Sequence, residues 1–64
     1  MKFSIDIAKS FFNQSEFGKC IEACNEILKS NNRSIDVLKL ISKSLCALNK
    51  TQDALIYLNK ILTI

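Results

Sequence analysis

The chain of 64 residues contains no histidine, no proline and no tryptophan, and its single glycine is Gly18. Each absence excludes something. Without an imidazole, general acid–base chemistry falls to Glu16, Glu22, Glu26 or one of Asp6, Asp36 and Asp53, and none of them sits in a catalytic motif. A cysteine nucleophile would have no imidazole to activate it, so catalysis is not expected and no cofactor is implied. Without proline, and with one glycine, the turns of an all-β fold are missing, and short helices are the natural alternative. Long apolar runs are missing too. The longest, residues 54–58, is far too short to span a bilayer. After Lys2 the apolar residues are broken by Ser4, Asp6 and Lys9, so no signal-peptide core forms. A cytoplasmic chain with no membrane segment is the expectation.

Charge of one sign is not abundant either. Nine basic against six acidic residues leave a net charge of +3. The basic residues are spread from Lys2 to Lys60 without the clustering or motif of a nucleic-acid module, which argues against such a partner. Cys20, Cys24 and Cys46 cannot all pair internally. Cys20 and Cys24 lie one helical turn apart, which is poor disulfide geometry. Three thiols so spaced, with no histidine, do not make a zinc pattern, so no metal is expected. All three are read as small, buried hydrophobes.

What the chain does have is apolar residues, 48% of the total, at helical spacing. Phe3, Ile7 and Phe11 share one face, with Phe12 and Ala8 beside them. Phe17, Cys20, Ile21, Cys24, Ile27 and Leu28 recur at steps of three and four. A third stripe runs through Val37, Leu38, Ile41, Leu45 and Leu48, and a fourth through Ala54, Leu55, Leu58, Ile61 and Leu62. Each is broad enough to bury against two neighbours. The spacing predicts helices over 3–14, 18–30, 35–48 and 52–63. Polar joints at 13–16 and 30–34 separate them. Ser15, Ser34 and Thr51 are the expected N-caps of the second, third and fourth helices, with Asp36 near the positive end of the third. Asn49 suits the left-handed residue that closes the third. A domain this small buries only about 60% of the surface of its unfolded chain, so a marginal stability is expected.

The four helices form two copies of one pattern. At a spacing of 34 residues Ile7 maps onto Ile41, Lys9 onto Lys43, Ser10 onto Ser44, Asn25 onto Asn59, Ile27 onto Ile61 and Leu28 onto Leu62. Phe3/Val37, Ala8/Ser42, Phe11/Leu45, Cys20/Ala54, Ile21/Leu55 and Cys24/Leu58 match in class. A fixed period of this length means stacked repeats, each covering its neighbour's apolar face. One domain over 1–64 follows, with repeat one at 1–34 and a C-terminally incomplete repeat two at 35–64.

These residues carry a family resemblance. The chain resembles the tetratricopeptide repeat, a helix–turn–helix unit of about 34 residues with the pattern W-x2-L-G-x2-Y…A-x3-F…P. Its positions are filled by Ser4, Ile7, Ala8, Phe11, Cys20, Cys24 and Asn32 in the first copy. In the second they are Leu38, Ile41, Ser42, Leu45, Ala54 and Leu58. There is no tryptophan, no glycine at the small positions, and Asn32 stands where the family prefers proline. The resemblance implies an all-α fold, two stacked antiparallel helix–turn–helix repeats in a short right-handed α-solenoid. It implies small residues, Ala8, Ser42, Cys20 and Ala54, at the tight crossings, with Phe11, Leu45, Cys24 and Leu58 filling the space beside them. A generic four-helix bundle is the alternative.

The resemblance also implies a function: a concave groove, lined by the first helix of each pair, that binds a peptide or helix of a partner protein. Residues carried onto that surface are Lys2, Ile5, Lys9, Phe12 and Asn13, then Asp36, Lys39, Lys43, Cys46 and Ala47. Lys9, Phe12, Asn13, Lys39 and Lys43 are the candidate partner-binding set. The three lysines form a basic strip suited to an acidic peptide, although Asp6 and Asp36 offset part of its charge. Phe12 either presents an aromatic contact in the groove or thickens the core beside Phe11, and the core is the favoured use. The two-carboxylate clamp of chaperone-tail binders is not reproduced, since Ile5 stands at its first basic position.

The fourth helix is the other candidate surface. Repeat arrays usually end on a polar capping helix, yet Leu55, Tyr57, Leu58, Ile61, Leu62 and Ile64 leave this one apolar around most of its circumference. The expectation is that something covers it. That is a further subunit or further repeats, or else a second copy of the chain, which would make the protein a self-assembling subunit with no separate ligand.

Overall fold

Residues 3–31 and 34–63 are described by a computed structural model; the expectations placed on Lys2, Asn32 and Ile64 lie outside them. Four helices follow in order: α1 (Ile5–Asn13), α2 (Phe17–Ser30), α3 (Ile35–Ala47) and α4 (Thr51–Thr63). There is no strand among the described residues. The chain is all-α, two antiparallel helical hairpins stacked as a short right-handed α-solenoid. It forms a slab of 28 × 26 × 13 Å.

The helix starts explain the bounds. Ser4 caps α1, its hydroxyl accepting the Ile7 N–H at 3.3 Å, and Asp6 lies in the first turn. Ser34 holds the N-cap position of α3, but its side chain makes no capping bond. Two expected caps are corrected. Ser15 does not cap α2; Glu16 holds that position, without a side-chain bond. Thr51 does not precede α4 but opens it.

Ser15 has another role. Its φ is 61°, and Asn49, its equivalent 34 residues on, has a φ of 62°. Both are left-handed residues that close the helix before them, as expected for Asn49 alone. The Glu16 N–H donates to the Phe11 carbonyl and the Lys50 N–H to the Leu45 carbonyl, each at 2.8 Å. The N–H groups of Ser15 and Asn49 donate to the carbonyls of Phe12 and Cys46 at 3.0 Å. This pair of bonds is the Schellman closure, which satisfies carbonyls that the helix end would orphan. Both hairpins therefore turn by the same device.

Packing runs α1 on α2, α2 on α3 and α3 on α4, with α1 also touching α3. α3 is the centre. Seven of its residues are buried, against Ala54 alone on α4. Val37, Leu38 and Ile41 are fully buried, each contributing about 1.5–3 kcal/mol by leaving water. Ala8, Ser42, Cys20 and Ala54 are buried, as the small crossing positions require. Phe11 is half-buried and Leu45 and Cys24 buried, but Leu58 is 39% exposed. Among the described residues no helix lies over it. Polar groups inside are satisfied: Ser42 Oγ donates to the Leu38 carbonyl at 2.7 Å and Ser44 Oγ to that of Leu40 at 3.0 Å.

Candidate interaction surfaces

Three surfaces offer chemistry: the outer side of α4, the face shared by α1 and α3, and the cleft between α2 and α4. α4 packs against α3 through Ala54, which is buried, and Tyr57, which is half-buried and packed against the core; Ile61 is half-buried too. Beside that line Leu55, Leu58 and Leu62 follow at steps of three and four, so they share one stripe. Leu55 is 54% exposed, Leu58 39% and Leu62 83%. Ile56, 55% exposed, falls on another side of the helix. Of the residues expected on the self-association or capping surface, Leu55, Leu58 and Leu62 are thus in solvent, Tyr57 and Ile61 face inward, and Ile64 is outside the described residues.

The physical reason is visible in the repeat. On α2 the equivalents of the exposed leucines are Ile21, Cys24 and Leu28, which are half-buried, fully buried and half-buried. α2 is packed between α1 and α3, whereas among the described residues the helix packed against α4 is α3, with α2 reached only across the cleft by the Tyr57 side chain. The same apolar stripe is covered in one hairpin and open in the next.

On the second surface Lys9, Asn13, Lys39 and Lys43 are exposed. The ion pairs among the described residues, Lys19–Glu16 and Lys29–Glu26, involve none of these lysines. Phe12 is half-buried, packed against the core and edge-on to Phe17 with ring centroids 5.4 Å apart. Cys46 is exposed, against the expectation that all three cysteines are buried. Its repeat equivalent is Phe12, so it lies on the face shared by α1 and α3 rather than on the covered stripe that holds Cys20 and Cys24.

Cys20 and Cys24 are fully buried. Burial pushes the Cys24 thiol up to about 12, helped by the charge of Cys20 and a hydrogen bond with it. A thiol held neutral is a poor nucleophile and a poor metal ligand. No group of three or more His, Cys, Asp or Glu among the described residues is placed to hold a metal.

The third surface is a cleft of about 730 Å³ between α2 and α4, bordered by Phe3, Glu22, Asn25, Leu28, Tyr57 and Lys60. Tyr57 donates its hydroxyl to Asn25 Oδ1 at 3.5 Å, and Lys60 Nζ stands 5.2 Å from the Tyr57 ring centre. The cleft is not legible in the apolar spacing, which puts Tyr57 on an outward surface; the one signal is the pairing of Tyr57 with the small Ala23 at the 34-residue spacing. No helix among the described residues is long and apolar enough to cross a membrane.

Compared with known proteins, the chain matches the model of a family described as anaphase-promoting complex, cyclosome, subunit 3, over residues 4–61. No curated protein and no solved structure matches it. Families of this repeat type serve in general as protein–protein interaction modules.

Proposed function

Because the chain belongs to the family of the anaphase-promoting complex, cyclosome, subunit 3, a tetratricopeptide-type repeat family, we propose that it is a non-enzymatic module binding a partner protein through the open stripe of α4. The observation that carries this is the exposure of Leu55, Leu58 and Leu62 on a helix whose equivalent stripe in the first repeat is covered. Three aligned leucines in water are a liability that a bound surface removes, at about 25 cal/mol for each Å² covered. The family is named for a subunit of a complex, which favours a place inside an assembly. The two repeats, 1–34 and 35–64, act as one unit.

Lys9, Lys39 and Lys43 contribute differently. Exposed ion pairs are worth about 0–1 kcal/mol each, so the lysines steer an acidic partner and set its orientation more than they hold it. Three unpaired thiols fit a reducing compartment such as the cytoplasm.

Affinity purification from the native cells tests the reading, comparing the tagged wild-type chain with a Leu58→Glu/Leu62→Glu variant. Leu62 is a surface position, but Leu58 is 39% exposed, so circular dichroism is read first, and a variant that is still helical should lose the partners that the wild type retains. Partners that persist on the variant would overturn α4 as the contact surface.

A further inference from the structure

The two repeats serve as each other's reference. Positions covered in one and open in the other outline the shape and chemistry of what is missing. On the second helices the stripe of Ile21, Cys24 and Leu28 is covered, and that of Leu55, Leu58 and Leu62 is open. Among the described residues α2 has α3 beside it, and no helix occupies the corresponding place beside α4. The seat on α4 is therefore shaped for a helix lying as α3 lies on α2.

The first helices show which face such a helix would present. Leu38, Leu40, Ile41 and Ser44 of α3 are buried, while their equivalents Ser4, Asp6, Ile7 and Ser10 on α1 are exposed. This is the α3 face turned toward the preceding repeat, and Ser44 Oγ does lie 3.1 Å from Cys20 Sγ on α2. An occupant of the α4 seat needs the same kind of face, with apolar residues at steps of three and four.

The flank supplies the charge. Ile5 of α1 is half-buried and packed against the core, whereas its equivalent Lys39 is exposed. A helix seated on α4 would run beside α3 as α3 runs beside α1, and would bring one flank against Lys39 and its neighbour one turn on, Lys43. Neither lysine has an acidic partner among the described residues.

Resting on the reading of α4 as the contact surface, we propose that the seat takes an amphipathic helix of a partner protein with an apolar stripe at i, i+3 and i+7 and carboxylates along one flank. A second copy of this chain fits poorly. Its α1 would set Ser4, Asp6 and Ser10 against the leucines, and its α4 carries Asp53 and Lys60 together, with no acidic flank.

The test uses two synthetic helices with leucine along one stripe, one with glutamate and the other with lysine on the flank, titrated against the full chain by fluorescence anisotropy. The glutamate helix should bind about tenfold more tightly at low salt, and the preference should shrink at high salt. Leu58→Glu/Leu62→Glu should abolish binding of both, and Lys39→Glu/Lys43→Glu should reverse the preference. Equal binding of the two helices, or none to a chain that is folded by circular dichroism, would overturn the proposal. So would a stable dimer mass in light scattering that Leu62→Glu converts to monomer, since the occupant would then be a second copy. In each of these cases the α4 surface itself is judged separately, by whether the Leu58→Glu/Leu62→Glu chain still retains its native partners.

Discussion

At the scale of single residues, burial decides what each cysteine is. Cys24 touches no solvent, and burial together with Cys20 lifts its thiol from 9.0 to about 12. The folded chain keeps this proton at pH values where the unfolded chain has lost it. Its contribution to stability is complete below pH 9 and is lost as the pH rises through 9 toward 12. Urea denaturation at about pH 8 and about pH 10.5 should show this alkaline loss, and Cys24→Ala should flatten it; an equal slope in the variant would mean that other groups cause it. The burial of Cys20 and Cys24 is legible from helical spacing, since both fall on a stripe with Ile21, Ile27 and Leu28. For Cys46 residue type points inward, while its position, carried by the family resemblance, points to the surface, and position decides. Cys46 falls a turn past Lys39 and Lys43, in phase with an exposed side, and it is exposed.

At the scale of elements, the helices were legible and their joints were not. Apolar spacing persists over a dozen residues and survives local exceptions, so α2 and α3 begin and end within a residue of expectation. A cap depends on one residue and its backbone angle. Ser15 has the side chain of an N-cap, yet the chain needs a left-handed residue there to complete the closure between Phe11 and Glu16. Only its alignment with Asn49, the residue type that tolerates such angles, carried that information. Serine pays a steric penalty of about 1–2 kcal/mol in this region, and glycine pays none but loses more freedom on folding. Ser15→Gly should therefore raise stability by about 0.5–1 kcal/mol, a gain of several degrees in melting temperature for a domain this small. Ser15→Val should lower it. Thermal denaturation of the two variants checks the assignment, and a destabilised Ser15→Gly would show that the left-handed angle is not what limits this turn.

At the scale of the whole molecule, the repeat made the architecture readable from a single spacing, while the difference between its two ends had to come from packing. Both second helices carry the same apolar stripe in sequence, and only their neighbours make one a core and the other a surface. The opposite end is not its match. α3 meets the first repeat with Leu38, Leu40 and Ile41 buried, whereas α1 presents Ser4, Asp6 and Ile7 at the same positions, all exposed. A repeat unit with complementary ends adds copies head to tail without closing. Asp6 works against that here, because docking α1 on the α4 leucines of another copy would strip water from a carboxylate at a position where α3 has Leu40. Asp6→Leu restores the residue that α3 has at this position, Leu40, and removes that desolvation cost. Light scattering over a hundredfold concentration range should then give a mass that keeps rising beyond a dimer, and a second change, Leu62→Glu, should return it to the mass of the single chain. A variant that stays at one mass throughout would mean that Asp6 is not what keeps the two ends apart, and that the polar Ser4 and Ser10 suffice alone.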